Sequence, residues 1–301
     1  MKKIQTILQI LKNHGIQVRE EVSLKNYTTL HIGGNAKLLS EPSNIEEVQT
    51  CIEICKSYQL PYFILGNGSN VLVLDEGYDG LVIVLSTHFH HMIVNNNKVR
   101  VESGASLKAL SAFCMRHSLT GMEFACGIPG SVGGAVYMNA GAYGGEMKDL
   151  VQSVIWLDQN GRIQKSNKED LALAYRHSVF MDNKGIVLEV EIQMQEGNKE
   201  EILLLMEELM RKRRSRQPLD SYSAGSTFKR PQGNYASALI QDAGLKGVMV
   251  NDAQVSEKHA GFLINRNNAT SRDFLDLIQL VQHRVKEHSG YELECEVQIM
   301  K

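Results

Sequence analysis

Seven of the chain's 25 glycines fall in a single stretch, Gly127–Gly145. Even spacing over 301 residues would put about two there. Glycine is used where φ is positive or where backbone must approach something closely. The stretch reads Gly127-Ile128-Pro129-Gly130-Ser131-Val132-Gly133-Gly134-Ala135, then Asn139-Ala140-Gly141-Ala142-Tyr143-Gly144-Gly145. It carries few side chains able to fill a core, and it is too apolar for a flexible linker. A glycine-dense structural loop is one reading. Backbone laid against a flat or phosphate-bearing ligand accounts for more of the composition.

A second backbone-rich element precedes it. Gly66-Asn67-Gly68-Ser69-Asn70 follows an expected strand, Tyr62–Leu65, and offers N–H groups, a hydroxyl and amides in five residues. Such a nest suits a diphosphate, although Asn and Gly are also ordinary turn residues. It is not the dinucleotide fingerprint of the Rossmann fold, because the third glycine is missing and a strand, Val71–Leu74, follows instead of a helix.

Composition narrows the class. Lys+Arg 32 against Asp+Glu 34 gives a net charge of −2, which argues against a general nucleic-acid or membrane-surface binder. Five cysteines with no C-x-x-C spacing read as buried thiols of a reducing compartment, not a disulfide framework or a zinc site. Ile4, Ile7, Leu8 and Leu11 form one helical face near the start, with polar interruptions unlike a signal-peptide core. No run of 18 apolar residues occurs, so no membrane insertion is expected.

Helices are expected at Ile45–Cys55 with Ser43 or Asn44 as cap, Leu107–His117, Asn198–Arg213 and Ala236–Asp242. Thr270-x-x-Asp273 reads as a capping box opening a helix that Gly290 stops. Asn160-Gly161 predicts a hairpin between Val151–Leu157 and Ile163–Lys165. Leu188–Met194 and Leu293–Ile299 alternate apolar and polar residues, as half-exposed strands do.

Together, in order, Tyr27-Thr28-Thr29 with Gly33-Gly34, the Gly66–Asn70 turn, Gly127–Ala135 and Asn139–Ala142 resemble the bacterial UDP-N-acetylenolpyruvoylglucosamine reductases. The resemblance spans nearly the whole chain. It implies an α+β protein: a two-lobed FAD-binding domain of the vanillyl-alcohol-oxidase (PCMH) type, followed by a smaller α/β substrate-binding domain. The implied division is 1–85, 86–205 and 206–301. It further implies non-covalent FAD held by Tyr27, Thr28, Thr29, Gly66, Asn67, Gly68, Ser69, Asn70, Gly127, Ile128, Pro129, Gly130, Ser131, Gly133, Gly134, Ala135, Asn139, Ala140, Gly141 and Ala142. The reductant would be NADPH, and the reaction the reduction of an enolpyruvyl UDP-sugar to UDP-N-acetylmuramate in peptidoglycan precursor synthesis, hydride passing through flavin N5. A cytoplasmic bacterial monomer is the matching expectation.

Three catalytic positions transfer with the resemblance. Arg176 lies in Tyr175-Arg176-His177-Ser178, Ser226 in Gly225-Ser226-Thr227-Phe228, and Glu296 in Leu293-Glu294-Cys295-Glu296-Val297. Reducing an enolpyruvyl ether adds hydride to one alkene carbon and a proton to the other. The carbanion beside the carboxylate needs a cation and a hydrogen-bonding acid, roles for Arg176 and Glu296, while Ser226 would supply the proton. Spacing alone does not choose Glu296 over Glu292 and Glu294, which share its face. Tyr175, Arg216, Lys229, Arg230 and His259 match substrate-side positions. The run Arg211-Lys212-Arg213-Arg214-Ser215-Arg216 otherwise reads as a helix C-terminus whose cations suit the macrodipole.

His31 departs from the Arg or Lys more usual after Thr-Thr-x, which would make FAD affinity pH-sensitive if it meets a phosphate. Only 50 positions separate Arg176 from Ser226, so the chain resembles the shorter form that lacks a tyrosine-bearing loop. Thr87-His88-Phe89-His90-His91 lacks companion ligands at metal spacing and reads as a polar loop, so no metal is expected. Two other readings stay open: an FAD oxidase of the same superfold, and a non-catalytic flavin- or nucleotide-binding relative.

Overall fold

The computed structural model describes residues 2–301. The chain forms two compact units, each assembled from separated pieces. The first takes Met1–Glu20, Leu38–Asn67 and Gly80–Arg213; the second takes Glu21–Lys37, Gly68–Asp79 and Arg214–Lys301.

In the first unit the amphipathic helix Lys2–Asn13 buries Ile7, Leu8 and Leu11. The helix Ile45–Ser57 starts at Asn44, whose Oδ1 accepts from the Glu47 N–H at 2.9 Å, satisfying an N–H the helix leaves unpaired. Val48, Cys51, Ile52 and Cys55 from its inner face join those side chains, with Leu81 and Ile83, in one core. Tyr62–Leu65 runs parallel to Leu81–Val84 and delivers the chain to Gly66.

A five-stranded antiparallel sheet follows, in the order Ile163–Asn167, Val151–Leu157, Ile186–Gln193, Lys98–Glu102, Met92–Asn95. The expected hairpin is present, with Leu157 opposite Ile163 and Gly161 at φ 75° in the turn. Val99, Val101, Val154, Val190 and Ile192 point into a second core shared with Leu107, Leu110 and Cys114 of the helix Leu107–Arg116. The glycine-dense stretch departs from this core, which anchors it through Val132, Ala135 and Val136.

The second unit carries a sheet ordered Tyr222–Ser223, Leu263–Asn265, Ala253–Val255, Met249–Val250. The helix Ser271–Ser289 covers it with Phe274, Leu277, Ile278, Val281 and Val285, and each such buried side chain contributes about 1.5–3 kcal/mol. The capping box is realised reciprocally: Asp273 N donates to Thr270 Oγ1 at 3.1 Å, and Thr270 N to Asp273 Oδ2 at 2.9 Å. Asp75 adds a second cap, accepting from Ser271 N at 2.9 Å and Ser271 Oγ at 2.8 Å. Gly290 ends the helix at φ 75°.

The last strand differs from its expected form. Only Gln298–Met300 is a strand, parallel to Val71–Val73. Residues before it pair elsewhere, so the period-two pattern breaks: Glu296 is buried and Ile299 is exposed.

Candidate active site

In the first unit the glycine stretch is held by its own backbone. Val132 N donates to Ala105 O at 2.8 Å, Gly133 N to Ser103 O at 2.7 Å, and Leu107 N to Gly130 O at 3.0 Å. A Cβ on Gly133 would stand 2.8 Å from Ser103 Cβ, and one on Gly66 only 2.1 Å from Ser131 Oγ. Asn67 Nδ2 donates to Pro129 O at 3.0 Å. Gly66, Asn67, Pro129, Gly130 and Ser131 therefore converge. Ile128 and Ala140 lean on the sheet's core, and Ala135 is buried in it. Gly141 and Ala142 form a two-rung ladder with Glu146 and Gly145, closed by Tyr143 at φ 52° and Gly144 at φ 92°.

The side chain of Asn139 has a structural task. It is buried, at φ 44°, and its amide is fully engaged within the protein. Nδ2 donates to Glu146 Oε2 at 2.7 Å and to Ala174 O at 2.9 Å, while Oδ1 accepts from Lys148 N at 2.9 Å. Ala174 opens the turn that carries Arg176. Ala174 and His177 exchange backbone hydrogen bonds, both 3.1 Å, leaving Tyr175 and Arg176 at the corner. Arg176 sits at φ 53°, a conformation that glycine normally fills. Its guanidinium lies 5.1 Å from the Tyr175 ring centroid. Ser178 pins the far side, donating to Tyr137 O at 2.6 Å.

In the second unit, Gly68 at φ 58° lies so close to the segment Tyr27–Thr29 that a Cβ would meet Tyr27 O at 2.0 Å. Thr29 N donates to Gly68 O at 3.2 Å, and Thr29 Oγ1 to Ser223 O at 2.6 Å. The turn residues Gly68, Ser69 and Asn70 and the Thr-Thr motif thus share one surface of that unit. His31 stacks on Tyr222, with centroids 4.1 Å apart.

The same turn reaches Glu296: Asn70 Nδ2 donates to Glu296 O at 3.1 Å. Glu296 N donates to Thr227 O at 2.8 Å, and Lys229 N to Glu294 O at 2.8 Å, an antiparallel ladder through Phe228 and Cys295. Ser226 and Glu296 are thereby brought together, Ser226 half-buried after Gly225 at φ 75°. The ladder also separates the three glutamates. Glu292 pairs with Lys286 and Glu294 with Lys229 at the surface, and Glu296 alone is turned inward, at 9% exposure. His259 lies beside this ladder, since Thr227 N donates to Gly261 O at 2.9 Å and Gly261 N to His259 Nδ1 at 3.2 Å. Burial, with a smaller push from Lys246, holds His259 below its ordinary value. Lys229 spends its ammonium on Glu294, Arg230 lies 4.5 Å over the Tyr235 ring, and Arg216 is exposed at a helix end.

Comparison with known proteins gives the family. The family model for the UDP-N-acetylenolpyruvoylglucosamine reductase C-terminal domain matches residues 217–300, and that for an FAD binding domain matches residues 36–167. The UDP-N-acetylenolpyruvoylglucosamine reductase of Clostridium novyi (strain NT) is 46% identical over 299 residues, 99% of this chain and 95% of that protein. The chain belongs to the UDP-N-acetylenolpyruvoylglucosamine reductase family. The reductase of Caldanaerobacter subterraneus subsp. tengcongensis is likewise 46% identical, covering 99% of this chain and 97% of that protein. The crystal structure of the Thermus caldophilus enzyme superposes with a TM-score of 0.82 at 39% identity, covering 95% of this chain and 100% of that one. A Physcomitrella patens BBE-like 1 variant, at 18% identity and TM-score 0.51 over 63% of this chain, shares the fold alone. The reductase family is one of FAD-dependent oxidoreductases, α+β with a PCMH-type FAD-binding region and a C-terminal domain.

The residues present fit FAD. Ser103 Oγ in the first unit and Thr28 Oγ1 in the second are buried hydroxyls with no partner in the protein, each beside a glycine that keeps side chains away. A buried, unsatisfied hydroxyl costs about 1–3 kcal/mol, so a polar ligand satisfies what the fold leaves open. Among the described residues no group of three or more His, Cys, Asp or Glu is placed to hold a metal ion. All five cysteines are free, and burial pushes the Cys51, Cys55 and Cys114 thiols up to about 12, which removes them as nucleophiles at neutral pH. No helix among the described residues is long and apolar enough to cross a membrane. Sequence reasoning missed Asn139 as the clamp on the Arg176 turn. Only its left-handed tendency and its place after a short helix hinted at a structural task.

Proposed function

We propose that the chain reduces the enolpyruvyl ether of UDP-N-acetylglucosamine enolpyruvate to the lactyl ether of UDP-N-acetylmuramate, with NADPH as reductant. The burial of Glu296 on a backbone ladder beside Ser226, while its two neighbouring glutamates stay at the surface, is the observation that carries the reading. FAD, held non-covalently by the glycine stretch, the Gly66–Asn70 turn and the Thr28 and Ser103 hydroxyls, supplies the two-electron relay between NADPH and one alkene carbon. Ser226 gives its hydroxyl proton to the other carbon and regains one from solvent. Arg176 supplies a permanent cation, and Glu296 a hydrogen-bonding acid, for the enolate that forms beside the carboxylate. Tyr175, Arg216, Lys229, Arg230 and His259 serve the sugar nucleotide. Lys229 and Arg230 must then exchange their present partners for it.

The three-part division 1–85, 86–205 and 206–301 goes with this reading, supported by separate apolar cores centred on those segments. A cytoplasmic monomer is the corresponding state, and cell-wall growth and division the process served.

Anaerobic stopped-flow spectroscopy tests the proposal. NADPH bleaches the bound flavin, and adding the enolpyruvyl sugar nucleotide restores its absorbance. Ser226→Ala keeps the first phase and loses the second. Reoxidation of that variant by substrate at the wild-type rate would rule out the proton-donor role. Rapid reoxidation by oxygen with no requirement for substrate would favour an oxidase.

A further inference from the structure

A second side chain stands behind the clamp on the Arg176 turn. Asn139 Nδ2 carries two hydrogens and uses both, one on Ala174 O at 2.9 Å and one on Glu146 Oε2 at 2.7 Å. Its Oδ1 accepts from Lys148 N at 2.9 Å. An amide turned over exchanges its donor and acceptor ends, so these three partners select one orientation. Ala174 O and Lys148 N are main-chain groups that any sequence supplies. Glu146 is the side chain among the three. Asn139 is 1% exposed, so without Glu146 one amide hydrogen is left buried with no acceptor, and the amide is pulled off Ala174 O to find one.

Glu146 is in turn fixed by the glycine hairpin. It stands opposite Gly141 in the ladder of Gly141 and Ala142 with Gly145 and Glu146, and of these four only Glu146 has a side chain longer than a methyl. A Cβ on Gly141 would lie 2.9 Å from Glu146 Cγ, and one on Gly145 2.6 Å from the ring of Phe124, which belongs to the sheet's core. Glu146 N donates to Asp149 Oδ2 at 2.9 Å, which starts the helix Met147–Leu150. The other carboxylate oxygen, Oε1, pairs with Lys148 Nζ at 3.0 Å, but both side chains reach water and that pair is worth little. The bond through Oε2 ends on a buried amide and is the one with structural weight.

We infer that Glu146 is a positioning residue for the proposed reduction. It holds the Asn139 amide, the amide holds Ala174 O, and Ala174 opens the turn that presents Arg176. The chain of contacts runs from the hairpin proposed to lie against the flavin to the cation proposed to meet the enolate. Glu146 acts through Asn139 and not on the substrate. What it supplies is an acceptor, which an uncharged amide oxygen also provides. The inference rests on the proposed role of Arg176.

The test compares wild type, Glu146→Ala, Glu146→Gln and Lys148→Ala as FAD-loaded enzymes in anaerobic stopped flow, at saturating enolpyruvyl sugar nucleotide. Glu146→Ala slows reoxidation of the flavin by substrate about tenfold, while its reduction by NADPH stays within about twofold of wild type. Glu146→Gln recovers most of the lost rate. Lys148→Ala removes the surface ion pair, keeps the main-chain N–H and matches wild type. Glu146→Ala combined with Asn139→Ala is no slower than Asn139→Ala alone. Deuterium uptake over residues 175–178 reads the turn without flavin chemistry: the His177 N–H, bonded to Ala174 O, exchanges faster in Glu146→Ala and not in Lys148→Ala. A wild-type reoxidation rate or unchanged exchange in Glu146→Ala overturns the inference. So do losses that multiply in the double variant, or a Glu146→Gln as slow as Glu146→Ala. Wild-type enzyme whose reduced flavin is not reoxidised by the sugar nucleotide defeats the proposed function instead, and the exchange measurement then still decides whether Glu146 holds the turn.

Discussion

Two tight turns carry the proposed catalytic side chains, and they meet the same backbone demand in opposite ways. In the turn of the second unit, Gly225 takes φ 75° and Ser226 follows in relaxed backbone. In the turn of the first unit, Arg176 takes φ 53° itself. The position that needs the special conformation and the position that needs the functional side chain are adjacent in one case and identical in the other. Where they coincide, glycine is unavailable and the backbone strain, about 1–3 kcal/mol, must be borne by neighbours. Asn139 and Ser178 are those neighbours, one holding Ala174 O and the other Tyr137 O. The Ser226 turn needs no such clamp and instead lies on the Thr227–Glu296 ladder.

The largest effect that sharpens this contrast is functional. Arg176→Ala lowers the rate of flavin reoxidation by substrate about 10²–10³-fold, the usual loss for a group that stabilises developing charge. Reduction of the flavin by NADPH stays at the wild-type rate, and stopped-flow spectroscopy separates the two phases. Next comes the clamp. Asn139→Ala leaves Lys148 N without its acceptor and takes from Ala174 O one of its two donors, costing about 1–3 kcal/mol in urea unfolding. It also lowers the reoxidation rate with little change in oxidised FAD affinity. Combined with Arg176→Ala, the loss in rate is less than additive. Unchanged kinetics in Asn139→Ala would show the turn to be rigid without it.

A reciprocal exchange of glycine gives smaller effects of opposite sign. Arg176→Gly relieves strain and raises unfolding stability by up to about 1 kcal/mol while lowering substrate turnover about as much as Arg176→Ala does. Gly225→Ala has open space for its Cβ, so its cost of about 1 kcal/mol comes from positive φ alone. If both changes destabilise equally, the two turns do not differ as described. The smallest effect is in pH. His259, beside the Ser226 ladder, has its folded pKa depressed by burial from 6.5. The unfolded chain therefore takes up that proton first, and stability present above pH 6.5 is lost as pH falls through the depressed value. His259→Gln flattens this part of the stability-against-pH curve, while Arg176→Gly leaves it unchanged.

The elements legible in the sequence were those with local signals. The Asn44 cap, the Asn160-Gly161 hairpin and the Thr270–Asp273 box each involve partners within a few residues, and each is present. The glycine stretch announced close backbone approach for the same reason. What alternation could not show was pairing at a distance. Leu293–Ile299 looked like one strand because its pattern is local, but Glu294 and Glu296 take their partners from Lys229 and Thr227. Periodicity treated Glu292, Glu294 and Glu296 as equals, and only the ladder distinguishes them. The structural task of the Asn139 side chain was hidden because its partner Ala174 is 35 positions away. The burial of Arg213 was hidden in a basic run, although its place four residues after Leu209 on one helical face held the clue.

The tie between Asn70 and Glu296 has a consequence for how the protein is made. It joins residues 226 positions apart. A ribosome adding about 5–20 residues per second needs roughly 10–45 s to cover that interval. Throughout that time Val71–Val73, which also awaits its parallel partner Gln298–Met300, presents an unpaired apolar edge. The second unit is thus completed only when its final segment has cleared the exit tunnel, and chaperone protection of the nascent edge is most needed during that wait.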